Sequence, residues 1–381
     1  MPLGFAKLNT LTYPQGGVAP PDPIGTLLYR LDNPNINTTS GSDQYGFDID
    51  MNNSYIVVSA WTEDATGISN IGAVYCYDVT DGTLLWTKTG TQASEQLGRH
   101  VRITENYVYA STLYWDQNGY TDVGRVDIWN IADGTLNTSI LPTPINDNNI
   151  RFAANFAVNN SNDRIAIYEV SSDSIYIYNS SGTKLYTTSN VFGTGSLSAI
   201  LDGDSNFIIA SAEASDVAKI YTWDGTLVSN LTKPTGYVDY GSYVSVGGLG
   251  ANNWAGVGDD AYNTNEGRIS IYDSEDGSLL YNITAPQANT AVFGFQFQIY
   301  KDRLIAGVIN NDNYGTNDGA AYIFDLTDGS LIYTTYSPNQ LSVGYFGRSV
   351  AMHEYRYAVS TSNISVTGGA LGHVYVFATG N

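Results

Sequence analysis

One cysteine, three methionines and three histidines in 381 residues leave little material for disulfide, thiolate or imidazole chemistry. Cys76 has no second cysteine to pair with, which excludes an internal disulfide framework and a Cys-based metal cluster. In its setting, VYCYD, it reads as a buried strand residue. His100, His353 and His373 fall in or beside strand-like runs and form no HExxH or similar pair, which argues against a zinc centre or a Ser-His-Asp triad. Positive charge is scarce too. Sixteen Lys and Arg face 37 Asp and Glu, and the net charge of −21 repels phosphate backbones and anionic lipid, so neither nucleic acid nor membrane is an expected partner. The same field would attract a divalent cation or a basic partner. No apolar run is long enough to span a bilayer, and the opening MPLGFAKLNTLTYPQGGVAPP has no uninterrupted apolar core, so neither a signal peptide nor an anchor is expected. Sustained apolar periodicity near 3.6 residues is also missing.

In their place stand 39 Gly, 30 Tyr and a repeat. Six segments share a turn between β-rich runs: VYCYDVTDGTLLW, VDIWNIADGTLNTSI, IYIYNSSGTKLYTT, KIYTWDGTLVSNL, ISIYDSEDGSLLYNI and AYIFDLTDGSLIYTT. Their glycines, Gly82, Gly134, Gly182, Gly225, Gly277 and Gly329, are spaced 52, 48, 43, 52 and 52 residues apart. Asp-Gly and Ser-Gly supply the positive φ of a tight hairpin, so each copy reads as the third and fourth strands of a blade. A second signature precedes each copy and occurs seven times: YGFDID, LGRHVRI, FAANFAV, GSLSAIL, YGSYVSV, FGFQFQI and FGRSVAM. Gly46, Gly98, Gly195, Gly241, Gly294 and Gly347 recur in it, with Ala153 in the third copy, where an innermost strand would crowd its neighbours. A second apolar strand follows each time, so four strands recur every 40 to 55 residues, the period of a propeller blade.

Seven inner strands against six complete hairpins locate the closure. The C-terminal GHVYVFATGN supplies a third strand without a fourth, and GTLLYRL, residues 25–31, matches the fourth-strand pattern at the other end of the chain. The sequence therefore predicts an all-β fold: a seven-bladed β-propeller of four-stranded antiparallel blades, closed when the N-terminal strand completes the last blade. Residues 1–24 form an arm or linker, and residues 25–381 form one propeller in which strand 25–31 pairs with blade 346–381. Pairing the ends removes the two exposed edges of an open array.

The FG of FGRSV and FGFQF, followed after one strand by GAAYIFD or GHVYVF, resembles the FG-GAP repeats of integrin-like propellers, and YDVTDGTLLW, Tyr77 to Trp86, looks like a quinoprotein-type repeat. FG-GAP repeats often hold calcium in an Asp/Asn-rich turn between the first two strands. Here most such turns are short, and the one candidate calcium turn is Asp202, Asp204 and Asn206 in LDGDSNF, set against an ordinary polar hairpin. The adjacent cysteines of quinoprotein dehydrogenases are missing, so no quinone, and no cofactor beyond that calcium, is expected. The opening MPLGFAKLN with its turn-rich linker resembles the N-terminal leaders of structural proteins of marine tailed phages.

Catalytic patterns do not appear. Acids are abundant without forming a glycosidase pair, and neither a Ser-x-Asp-x-Gly-x-x-Trp box nor a phosphate-cradling Gly-rich loop is found, so a non-enzyme is expected. The two faces of the ring differ. Turns between first and second and between third and fourth strands are short, whereas loops between second and third strands are long and carry aromatics beside acids: AWTEDATGISN, LYWDQNGYTD, GDDAYNTNEG and INNDNYGTNDG. Trp61, Tyr114, Trp115, Asp116, Tyr120, Asp260, Tyr262, Asn263, Asp312 and Tyr314 are the candidate binding residues, since recognition tends to sit on loops held by a rigid scaffold. Asp and Asn also serve such loops as turn formers. The resemblance and composition together imply a non-enzymatic virion component of a marine bacteriophage, a head decoration or a tail- or fibre-associated protein. It would contact other virion proteins through residues 1–22, or a host surface. The alternative is a secreted or surface carbohydrate-binding adhesion propeller, calcium-assisted, with glycans as partners.

Overall fold

The computed structural model describes residues 22–35, 43–159, 161, 163–193, 195–261, 266–287, 292–312, 317–339, 344–361, 365–366, 369–370 and 372–380. Among these, the strands form seven four-stranded antiparallel sheets and one minor two-stranded ribbon, with a single 3-10 turn at Glu213–Ser215. Among the described residues no helix is long and apolar enough to cross a membrane. Blade 1 comprises Tyr45–Met51, Tyr55–Ala60, Ala73–Asp78 and Leu84–Thr89, paired in chain order from the axis outward. Blades 2 to 6 repeat the plan from innermost strands Leu97–Ile103, Phe152–Asn159, Ala199–Gly203, Val244–Leu249 and Gln296–Tyr300.

Blade 7 takes Phe346–His353, Arg356–Thr361 and His373–Ala378 from the C-terminus and its fourth strand, Leu27–Asp32, from the N-terminus. Leu27 pairs with Phe377, Leu31 with Val374 and Asp32 with His373. The missing seventh hairpin turn is rebuilt from the two chain ends. Gly25 N donates to Ala378 O at 3.0 Å and Ala378 N to Thr26 O at 2.9 Å, as Gly82 N does to Asp78 O and Asp78 N to Thr83 O at 2.9 Å each in blade 1. Gly25 has φ +84° beside +77° for Gly82, the left-handed turn conformation that glycine adopts without strain.

The core lies between blades. Middle strands are buried on both faces, which explains their unbroken apolar runs, and outermost strands alternate. Tyr45, Tyr75, Tyr109, Tyr168, Tyr240, Tyr272, Tyr322, Tyr357 and Tyr375 are fully buried between sheets, bringing large rings with a hydroxyl that can be satisfied locally: Tyr45 and Tyr77 share a hydrogen bond at 2.7 Å. At the closure, Leu31, Ile49, Tyr75, Ala358, Val374 and Val376 form one cluster, so the seam between blades 7 and 1 is packed like the others.

At the start of the inner strands the glycines answer a conformational need beyond close packing. Gly46, Gly98, Gly241, Gly294 and Gly347 all lie at φ between +82° and +97°, and Ala153 is held at +66°. A Cβ on Gly347 would stand 2.5 Å from Ala320 O. The fourth copy departs from the sequence expectation. Gly195 precedes the strand Ala199–Gly203 and is outside the left-handed region; cross-blade register, in which Leu201 N takes the role of Val101 N, puts Ser198 at the glycine position.

Candidate binding face and central channel

The inner strands are joined around the axis by side chains that accept the next strand's amides. Asp48 Oδ2 takes Val101 N at 3.0 Å, Asn155 Oδ1 takes Leu201 N at 3.0 Å, and Asp202 Oδ2 takes Val246 N at 3.0 Å. Ser245 Oγ takes Ile299 N at 2.9 Å, Gln298 Oε1 takes Met352 N at 2.6 Å, and Ser349 Oγ returns to Ile49 N at 3.2 Å. Between blades 2 and 3, Asn155 Nδ2 meets His100 Nε2 at 3.2 Å. Polar residues thus line the axis because each one closes a seam, which also satisfies their own burial cost.

These strands stack their side chains in tiers. At the long-loop mouth stand Phe47, Arg99, Ala154, Ala199, Ser242, Phe295 and Arg348, each the third residue of its signature or its register equivalent, around a vestibule of about 210 Å³. Asp48, Arg102, Tyr243 and Gln296 narrow the channel to a gap of about 20 Å³. Beyond it Asp50, Arg102, Asp202, Asp204, Gln298 and Lys301 border a cavity of about 310 Å³ at the short-turn end. Burial pushes the Asp50 carboxyl up to about 7, and it raises Asp202 and Asp204 as well. Asp48 is held low, because Arg102 at 3.1 Å and His100 at 3.7 Å outweigh its burial.

Charge at the long-loop mouth has a different character. Arg348 lies over Phe47 at 4.4 Å and Phe295 at 5.2 Å, and Arg99 lies over Trp61 at 5.0 Å, while Trp61 rests on Phe47 at 4.9 Å and donates its indole N–H to Gln44 Oε1 at 3.0 Å. Among the described residues neither guanidinium has a hydrogen bond or ion pair to the protein, whereas Arg102, Arg125 and Arg30 each pair with an aspartate. Burial lowers the pKa of both, and each also sits in the range of other charges, Arg99 of Tyr114 and Arg348 of Asp48.

Of the residues picked from sequence, Trp61 reaches this mouth and Tyr114 packs at its edge against the core of blades 3 and 4. The others shape their own loops. Asp116 Oδ1 accepts Asp122 N at 2.9 Å, and Asp312 Oδ1 accepts Asn317 N at 2.7 Å. Tyr120 exchanges two backbone hydrogen bonds with Gln117 and packs against the core, and Trp115 is covered by Arg125 at 4.5 Å. Asp260 lies across the ring in blade 5, its carboxyl pushed to about 6 by burial and by Glu213 and Asp239. Tyr262, Asn263 and Tyr314 lie outside the described residues. In the candidate calcium turn the oxygens serve amides. Asp204 Oδ1 accepts Asn206 N and Phe207 N at 2.7 Å each, and Asp202 Oδ2 accepts from Ser245 and Val246 of the next blade. Among the described residues no group of three or more His, Cys, Asp and Glu is placed to hold a metal. Arg99, Arg348, Phe47 and Phe295 were missed by the sequence reading. Their signal was the residue following the glycine of LGRHV, FGRSV, YGFDI and FGFQF.

An FG-GAP repeat family model matches residues 38–77, the segment holding most of blade 1. No protein of curated function matches the sequence. Sqt1 of Saccharomyces cerevisiae is similar in fold, with 13% identity and a TM-score of 0.50 over 86% of this chain and 82% of that one. BamB of Moraxella catarrhalis aligns with 10% identity and a TM-score of 0.45, covering 86% and 81%.

Proposed function

We propose that the chain is a non-enzymatic structural ring of a marine phage particle, a head decoration or a tail- or fibre-associated protein, whose long-loop face makes contact with another protein or the host surface. The carrying observation is the opposition of two faces. The chain enters the ring at Ile24–Gly25, beside Ala378 on the short-turn side, and the aromatic long loops lie on the opposite side. An arm formed by residues 1–22 would therefore dock the ring with its long loops outward. Those loops are pre-shaped by their own carboxylates, Asp64, Asp116 and Asp312, which each accept a backbone amide within the loop, so contact would cost little ordering entropy. Mass spectrometry of gradient-purified particles, with this chain quantified against the major capsid protein, tests the reading. A fixed stoichiometric ratio is expected, and absence from intact particles overturns it.

The stacked aromatic and arginine side chains of the channel mouth favour a second reading, in which the long-loop face of a surface adhesion propeller binds glycans. It predicts saturable glycan binding that is lost in Trp61→Ala. Calcium enters either reading only through Asp202, Asp204 and Asn206, and equal binding with and without a chelator would remove it.

A further inference from the structure

We propose that the long-loop mouth of the channel binds the carboxylate of an acidic sugar residue, with Arg99 and Arg348 holding the anion inside the vestibule. This rests on the glycan reading of the same face and names its ligand class.

The first argument is charge. Among the described residues Arg30, Arg102, Arg125 and Arg151 each form an ion pair with an aspartate, whereas Arg99 and Arg348 at this mouth form none. A partly desolvated cation is costly unless paired, and Arg348 also feels the like charge of Arg99. One anion between them would relieve both. Two carboxylates line the vestibule: Asp48 is already engaged by Val101 N, Arg102 and Ser349 Oγ, and Glu213 is pushed towards its neutral form by burial and by Asp239 and Asp216.

Orientation is the second argument. Stacking on Trp61, Phe47 and Phe295 occupies faces of the guanidinium planes and leaves their N–H edges free, the forked donor set that matches a carboxylate. The third is shape. Four large residues crowd one part of the tier, while Ala154, Ala199 and Ser242 leave the rest open, and the gap of about 20 Å³ beneath makes the vestibule a dead end. A volume of about 210 Å³ exceeds what a lone inorganic ion fills and admits a terminal sugar ring, not a continuing chain. Tyr243, whose hydroxyl accepts from Gln296 at 2.9 Å and keeps its own proton to donate, offers a polar contact for a ring hydroxyl.

The test is calorimetric titration of the full chain with glucuronate, its neutral analogue glucuronamide, glucose, inorganic sulfate and N-acetylaspartate. Glucuronate should bind saturably and at least about tenfold more tightly than every other probe, and Arg99→Gln or Arg348→Gln should each weaken it about tenfold or more. Arg30→Gln, on the outer rim, should change nothing. Ligand-side comparison needs no variant, so a poorly folding arginine mutant leaves the test intact. Glucuronamide or glucose equal to glucuronate overturns the anion assignment while leaving glycan binding standing. Sulfate or N-acetylaspartate equal to glucuronate replaces the sugar with a bare anion or an acidic peptide. No binding by any probe overturns the proposal outright. Particle incorporation through residues 1–22 is measured separately and is unaffected by any of these outcomes.

Discussion

Asp50 should make this protein lose stability as the pH rises towards neutrality. The side chain is only 7% exposed, and it faces Asp48 on its own strand, Arg102 from blade 2, Asp202 from blade 4 and Gln298 from blade 6. Burial is the dominant influence and pushes its carboxyl to about 7, against the opposing pull of Arg102 and of the amides of Ile103 and Met51. In the unfolded chain the group titrates near its ordinary value of 3.8. Between those two values the folded state holds a proton that the unfolded state has released. The stabilisation is therefore complete below about pH 4, declines with rising pH, and is gone above about 7. Three units correspond to about 4 kcal/mol, of which about 2 kcal/mol falls between pH 5 and 7. With an unfolding entropy of about 2.1 cal/mol/K per residue, 381 residues give a drop of roughly 3 °C in Tm over that range. Asp50→Asn cannot ionise and keeps an oxygen for Ile103 N. Its Tm should fall less steeply from pH 5 to 8, by that amount, in a calorimetric series. Glu63, pushed by burial to about 7, and Asp43, to about 6, act with the same sign in both proteins and cancel in the comparison. Parallel Tm curves for the wild type and Asp50→Asn would refute the reasoning.

Gly347→Ala should destabilise by about 3 kcal/mol or more, since φ is +95° and the new Cβ meets Ala320 O, whereas Ala153→Gly should be neutral to about 1 kcal/mol stabilising; thermal melts distinguish the two. Removing residues 1–22 should leave a ring that still melts cooperatively. Removing residues 1–32 should expose the edge of His373–Ala378 and give dimers or aggregates by size-exclusion chromatography. Cys76 is fully buried, with its thiol pushed to about 12 by burial, so it should resist Ellman's reagent in the native protein and react at once in denaturant.

The ring was legible because its information is local and repeated. Gly82, Gly134, Gly182, Gly225, Gly277 and Gly329 all adopt positive φ at hairpin turns, as Asp-Gly and Ser-Gly sequences demand, and an unmatched strand at each end implied the closure. Legibility failed where register crosses blades. Gly195 looked equivalent to Gly98, yet Ser198 occupies that position, because only the bond from Leu201 N to Asn155 fixes the alignment. The loop acids were visible, but composition could not separate Asp116 and Asp312, which cap their own turns, from a ligand-facing group. Arg99 and Arg348 lie far apart in sequence, in blades 2 and 7, and meet only because the ring closes and sets both beside Phe47.

That closure also has a timetable. During synthesis Leu27–Asp32 emerges well before its partner His373–Ala378; at roughly 5–20 residues per second the strand waits tens of seconds for it. Six blades can form as they emerge, but Leu27–Asp32 stays unmatched until His373–Ala378 is released. In a crowded pool of half-finished chains, the leading strand of one molecule and the trailing edge of another are chemically as well suited as the proper pair. Slow or clustered translation should therefore yield strand-exchanged dimers, each propeller closed by the other's opening segment, from a sequence whose finished ring offers no such partner.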